Sequence, residues 1–79
     1  MSHLPARANE RSHLTALVVQ DWQQNPQAVN DIPTRARECR ELASHHLATG
    51  ELAEFRSMTS YAIAYMKALR IILPQIFPQ

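Results

Sequence analysis

The chain has 79 residues, 46% of them hydrophobic and 19% charged, and its eight Lys plus Arg against seven Asp plus Glu leave a formal net charge of +1. A balance so close to neutral argues against a protein whose main work is to coat nucleic acid, because phosphate affinity rests on clustered positive charge. One glycine, one cysteine and a composition led by good helix formers exclude an intramolecular disulfide and leave little for a sheet, so the chain reads as one small all-α domain over residues 1–79.

Residues 1–8 contain Pro5 and no apolar periodicity, which predicts a flexible tail. Asn9 is a good N-cap, and a first helix is expected over 9–24. Its Leu14, Leu17, Val18 and Trp22 fall on one helical face. Asn25-Pro26 stops it, since the residue before proline is pushed out of the helical region. The linker NPQAVN at 25–30 has room for one turn, with Val29 tucked toward the core. Asp31 then serves as the expected N-cap, with Pro33 in the first turn, of a second helix over 32–48. Ile32, Ala36, Cys39, Ala43 and Leu47 recur along it at spacings of four, three, four and four, with Leu42 and His46 beside them. The opposite face carries Arg35, Arg37, Glu38, Arg40 and Glu41. Arg35–Glu38 and Arg37–Glu41 are spaced to pair locally.

Gly50 stands where a left-handed residue would close the second helix. Glu51 and Glu54 follow in the first turn of a third helix, expected over 51–73 and ended by Pro74. One stripe of that helix is Leu52, Phe55, Met58 (or Thr59), Ala62, Met66, Leu69 and Ile72, which suits packing in a hairpin. The short Thr49-Gly50 connection makes the second and third helices antiparallel neighbours. The expected architecture is therefore a small three-helix protein built on an antiparallel αα-hairpin. Residues 74–79 form a second tail, flexible or docking, that carries Ile76 and Phe77.

The third helix holds more apolar surface than a hairpin can cover. From Tyr61 a second stripe appears, Tyr61, Ala64, Ala68 and Ile71. A helix apolar most of the way round is normally buried on more than one side. A membrane span needs about 20 apolar residues, whereas the run 61–73 is shorter and has Lys67 and Arg70 in its middle. Those two cations share a face that should stay wet or meet an acidic surface. The candidate partner-binding residues are Tyr61, Tyr65, Ala68, Ile71, Ile76 and Phe77, with Arg35, Arg37, Arg40, Lys67 and Arg70 as polar contacts. Trp22 either packs on the tyrosines or faces a partner. Ser57, Thr59 and Ser60 mark a place where the helix could approach a neighbour closely.

No constellation in the sequence names a reaction. His45 and His46 point about 100° apart on a helix and cannot chelate together, and Cys39 lies on the apolar stripe, where a buried thiol is the default. No His or Asp is spaced to activate the serines and threonines. The expectation is a non-enzyme with no metal and no cofactor. A third helix beginning Glu51-Leu52-Ala53-Glu54 would repel phosphate, which counts against a helix-turn-helix. The N-terminal MSHLPARANERSHL shows no secretory h-region with a small-residue cleavage site. With one cysteine, that fits a reducing, cytoplasmic setting.

Residues 36–73, through ARECRELA, ATGELAEF and MKALRIIL, resemble in pattern the helical-hairpin co-chaperones of bacterial type III secretion needles. Those too have an Arg/Glu-rich first helix, a glycine-containing turn and a longer apolar second helix. The expected function is a protein-interaction module that homodimerises or binds a larger protein and masks, inhibits or chaperones it. Small accessory inhibitors encoded by phages and mobile elements share this profile. The alternative is a small helical DNA-binding regulator working through Arg35, Arg37 and Arg40.

Overall fold

The computed structural model describes residues 6–78, with side chains from Arg11 onward. Three helices follow one another: α1 (Ala6–Gln24), α2 (Ile32–Ala48) and α3 (Leu52–Ile76), with a 3-10 turn (Pro26–Asp31) between the first two. No strand occurs among the described residues. The all-α hairpin architecture stands as expected, and α2 has the expected bounds. The loose tail expected at 1–8 falls outside the described residues at 1–5, while 6–8 are helical. The helix starts at Ala6 rather than at Asn9 because Ala6, Arg7 and Ala8 are all strong helix formers.

The connection between α1 and α2 is tighter than a loose linker. Asn25 adopts φ −137° and ψ 86°, the extended backbone that Pro26 imposes on its predecessor. Asp31 sits in helical backbone and its side chain caps nothing. Asp31 holds the expected N-cap position with Pro33 in the first turn, but the capping is done by the 3-10 turn, in which the Ile32 N–H donates to the Val29 carbonyl. The turn thus satisfies a donor that an isolated helix start would leave to a side chain.

At the other end of α2 the chain reverses through a Schellman motif. The Glu51 N–H donates to the His46 carbonyl (2.8 Å) and the Gly50 N–H to the Leu47 carbonyl (3.2 Å). Gly50 has φ +78°, a conformation that any residue with a Cβ adopts at a cost. The motif usually carries an apolar contact between the residues that flank it. Here the pair is polar: His46 Nδ1 lies 3.1 Å from Glu51 Oε1, and the Thr49 hydroxyl donates to the same carboxylate at 2.5 Å. Those bonds hold the Glu51 carboxyl below its ordinary pKa, the Thr49 hydroxyl first and His46 second.

α3 is the spine. Both α1 and α2 pack along it, and they are linked to each other through the 3-10 turn. The shortest dimension, 22 Å, is about two helix diameters, so the molecule is two layers thick. The radius of gyration, 13.9 Å, exceeds the roughly 12 Å of a compact domain this long, as expected when two helices lie splayed on a third. Ser60, Ala64 and Ala68, one turn apart, are buried, and Ile72 continues the row. α2 contributes Ile32, Ala36 and Ala43. Around Ile32, Ala68 and Ile72 pack Val18, Val19 and Trp22 of α1, Val29 of the turn, and Tyr65 and Leu69. The second apolar side of the third helix is therefore covered over Ala68 by α1 and Trp22. The α1 face that does this includes Val19 and the buried Thr15, whose hydroxyl donates to the Arg11 carbonyl at 2.8 Å.

Pro74 does not end α3. The helix continues to Ile76, and the Phe77 N–H donates to the Leu73 carbonyl at 2.8 Å. Proline removes one N–H and crowds the carbonyl four residues back. Here that leaves the Arg70 carbonyl without its intrahelical donor, one bond lost in a helix whose last turn is otherwise closed. The Gln75 side-chain amide also donates to the Ile71 carbonyl at 3.1 Å.

Two tests follow from the packing and the turn. Ala68 has 0% exposure, so Ala68→Leu should force the helices apart and lower stability by about 1–3 kcal/mol in urea denaturation. For Glu51, a folded pKa below the unfolded one means that its contribution is present above the ordinary carboxyl range and is lost as pH falls through the depressed value. Wild type should therefore melt above Glu51→Gln at neutral pH, and the two should converge in acid.

Candidate protein-interaction site

Because α1 and α2 diverge over α3, a cleft of about 490 Å³ opens between them. Its floor is Tyr61, Ala64 and Tyr65 of α3. Tyr61 and Tyr65 are one turn apart and half-buried, so each presents part of its ring to the opening. Leu14, Leu17 and Val18 form one wall and Ile32 the other. Leu17 is 46% exposed, although it lies in a helix that packs against the rest of the protein. Asp21, Asn25, Asp31 and Arg35 supply the polar rim. The arrangement is an apolar trough with a ring of hydrogen-bonding groups, the composition that protein interfaces show at core and rim.

The six expected anchors do not share one surface. Tyr61 and Tyr65 lie in the cleft. Ala68, expected to meet a partner, is wholly buried beneath α1, because a small side chain is what allows two helices to approach closely there. Ile71 faces a shallow groove between α1 and α3, beside Val19 and Lys67. Ile76 and Phe77 are exposed at the end of α3, and Phe77, at 69% exposure, lines a hollow with Arg70, Leu73 and Pro74. The surplus of apolar surface beyond residue 60 thus divides among a core row, a cleft and an exposed end.

The polar candidates divide as well. Arg35 borders the cleft, whereas Arg40 joins Lys67 and Arg70 around a groove between α2 and α3. Arg37 is exposed and lines neither. The local pairs Arg35–Glu38 and Arg37–Glu41 are not closed. Among the described residues the one ion pair is His46–Glu51. Exposed pairs of this kind gain little against the entropy of holding two long side chains.

His45 is exposed and His46 is half-buried. Among the described residues no group of three or more His, Cys, Asp and Glu is arranged to hold a metal, and no helix is long and apolar enough to cross a membrane. Ser60 is buried where α3 meets its neighbours, and the Thr59 hydroxyl donates to the Phe55 carbonyl at 2.8 Å. Neither is set beside a base. Leu17, Asp21 and Asp31 at the cleft were not foreseen as site residues. Of the apolar face formed by Leu14, Leu17, Val18 and Trp22, Val18 and Trp22 pack on the core, Leu14 is half-buried and Leu17 is exposed.

Comparison of the chain with protein-family models, curated proteins and solved structures finds no match.

Cys39 is half-buried on α2, and burial pushes its thiol pKa up, with Glu38 adding to the rise and Arg35 opposing it. A thiol held protonated is a poor nucleophile. Alkylation of the native protein at neutral pH should therefore run slower than that of an unstructured cysteine peptide, and urea should restore the peptide rate. A native rate above that of the peptide would contradict this account of Cys39.

Proposed function

We propose that the chain is a non-enzymatic interaction module that accepts an amphipathic helix of a larger protein in the cleft between α1 and α2, and so masks or chaperones it. The observation that carries this reading is the position of Leu17, Tyr61 and Tyr65. Three large side chains are left accessible around one trough of about 490 Å³, while the buried core has alanines at most of its positions. Two helices splayed on a third leave open the position that a fourth helix occupies in a bundle. A visiting helix would place apolar side chains on the tyrosine floor and polar ones against Asp21, Asp31 and Arg35. Aromatic residues in such a pocket are the usual energetic anchors of an interface.

A second copy of the chain is the other candidate for the same cleft, since α1 itself carries apolar residues on two adjoining faces. The DNA-binding alternative draws less support. Arg35 and Arg40 lie five residues apart on α2, about 140° round the helix, and border different depressions. The α2 arginines on which that alternative relies therefore do not line one surface that could follow a phosphate backbone. A reducing compartment such as the cytoplasm fits the half-buried, protonated Cys39.

The test uses Leu17→Glu, an exposed position where a substitution should shift stability by no more than about 0.5 kcal/mol. A partner captured from the native host with the intact protein is purified, and the complex is reconstituted and sized by light scattering. Binding should weaken at least about tenfold in Leu17→Glu while helicity and melting temperature are kept. A concentration-dependent doubling of mass that the substitution removes would make the occupant a second copy. A complex indifferent to both Leu17→Glu and Tyr61→Glu, or a chain that stays monomeric and partnerless, would overturn the assignment of the cleft.

A further inference from the structure

We infer that α3 carries a second docking surface on the side away from the cleft, fitted to an acidic amphipathic helix of another protein. Arg70 follows Tyr61 by nine residues, two and a half helical turns, so it stands on the opposite side of α3 from the cleft floor. There a groove of about 290 Å³ runs between α2 and α3, with Ile63 and Met66 at its base and Arg40, Lys67 and Arg70 around it. Arg70 also borders the next hollow along the helix, of about 510 Å³, with Leu73, Pro74 and Phe77. The two depressions share that residue and form one strip from Ile63 to Phe77. Fourteen residues of helix are about 21 Å long, so the strip suits a partner helix of about four turns.

The charge on the strip identifies the chemistry of its occupant. Three cations line it and no Asp or Glu does, in a chain whose net charge is only +1. Asp21 and Asp31 border the cleft instead, and Glu51 lies in the hairpin turn. None of the three cations takes part in an ion pair among the described residues. Leu73 and Phe77 are exposed beside them. The complement is a helix with a ridge of Leu, Ile or Met for the groove and Asp or Glu on its flanks for Arg40, Lys67 and Arg70.

Other occupants fit less well. A second copy docked through this face about a two-fold axis would set the cations against their own counterparts. An anionic membrane surface favours clusters of roughly four to eight basic residues, and here three surround a concave groove. A nucleic acid would leave Ile63, Met66 and Phe77 without apolar contacts.

The full chain, methyl-labelled at Ile and Met, is titrated with a synthetic amphipathic helix of about 14 residues, Leu-ridged and Glu-flanked, and with its Lys-flanked counterpart. The Glu peptide should shift the Ile63 and Met66 methyl signals, and the Lys peptide should not. The double variant Lys67→Glu/Arg70→Glu should weaken the Glu peptide about tenfold or more and bind the Lys peptide instead, a reversal that misfolding could not produce. Raising salt should weaken wild-type binding several-fold. Leu17→Glu should leave it unchanged, so failure at the cleft and failure at this strip are distinguishable. Equal binding of both peptides, no response to the double variant, or no shift at millimolar peptide would overturn the inference. So would binding to phosphatidylserine vesicles that depends on Lys67 and Arg70 while the Glu peptide does not bind.

Discussion

The row Ser60, Ala64, Ala68 on α3, matched by Ala36 and Ala43 on α2, sets how closely the helices approach, and the rest of the molecule follows from that distance. Small side chains let helix backbones come together and gain dispersion contacts over their length. They also bury little apolar area each, at roughly 25 cal/mol per Å². Among the described residues only Ile32 and Ile72 are large side chains in the fully buried set. Trp22 closes over them with its indole N–H unpaired, so its part is packing rather than hydrogen bonding.

Close approach at the row also decides where the large apolar residues end up. A leucine or phenylalanine has no room at an alanine crossing, so Leu17, Ile71, Leu73 and Phe77 lie beside the contact lines rather than in them. Splaying α1 away from α2 leaves the two tyrosines as the floor of a cleft. The outer side of α3 keeps Ile63 and Met66 only half-covered. The apolar excess of the C-terminal third is therefore not one patch. It is what a thin core leaves over, shared between two sides of one helix.

Much of this fold was legible in the sequence where a single residue dictates backbone geometry. Gly50 marked the left-handed turn, Asn25-Pro26 the end of α1, and the four-three-four spacing from Ile32 the whole of α2. Elements whose ends depend on neighbours were less readable. Asn9 looked like a cap but lies inside a run of helix formers, Asp31 stands at the cap position with its side chain unused, and Pro74 costs one hydrogen bond without stopping the helix. The site was half-legible. Tyr61 and Tyr65 stood out by type and spacing, but Ala68 shared their stripe and went to the core. A helical stripe does not record where a neighbouring helix crosses it, and α1 crosses over Ala68 while leaving the tyrosines open. Arg40 joins Lys67 and Arg70 only through the packing of α2 on α3, a relation between residues distant in sequence that no local pattern contains.

A core this thin ties binding to folding. A chain of this length without a disulfide rarely holds more than about 3–5 kcal/mol of stability. A ligand that binds only the folded form at one hundred times its dissociation constant adds about 2.7 kcal/mol, a large fraction of that total. Any occupant of the cleft would bridge α1 and α2, which otherwise depend on α3 and the 3-10 turn to keep their separation. It would tie together two helices of the same layer that do not pack on each other directly. An occupant of the basic strip would bridge α2 and α3, already joined by the Schellman turn, and would stiffen the hairpin far less. The two surfaces therefore differ in consequence as well as in charge: filling the first completes the fold, and filling the second adds a contact to a fold already made.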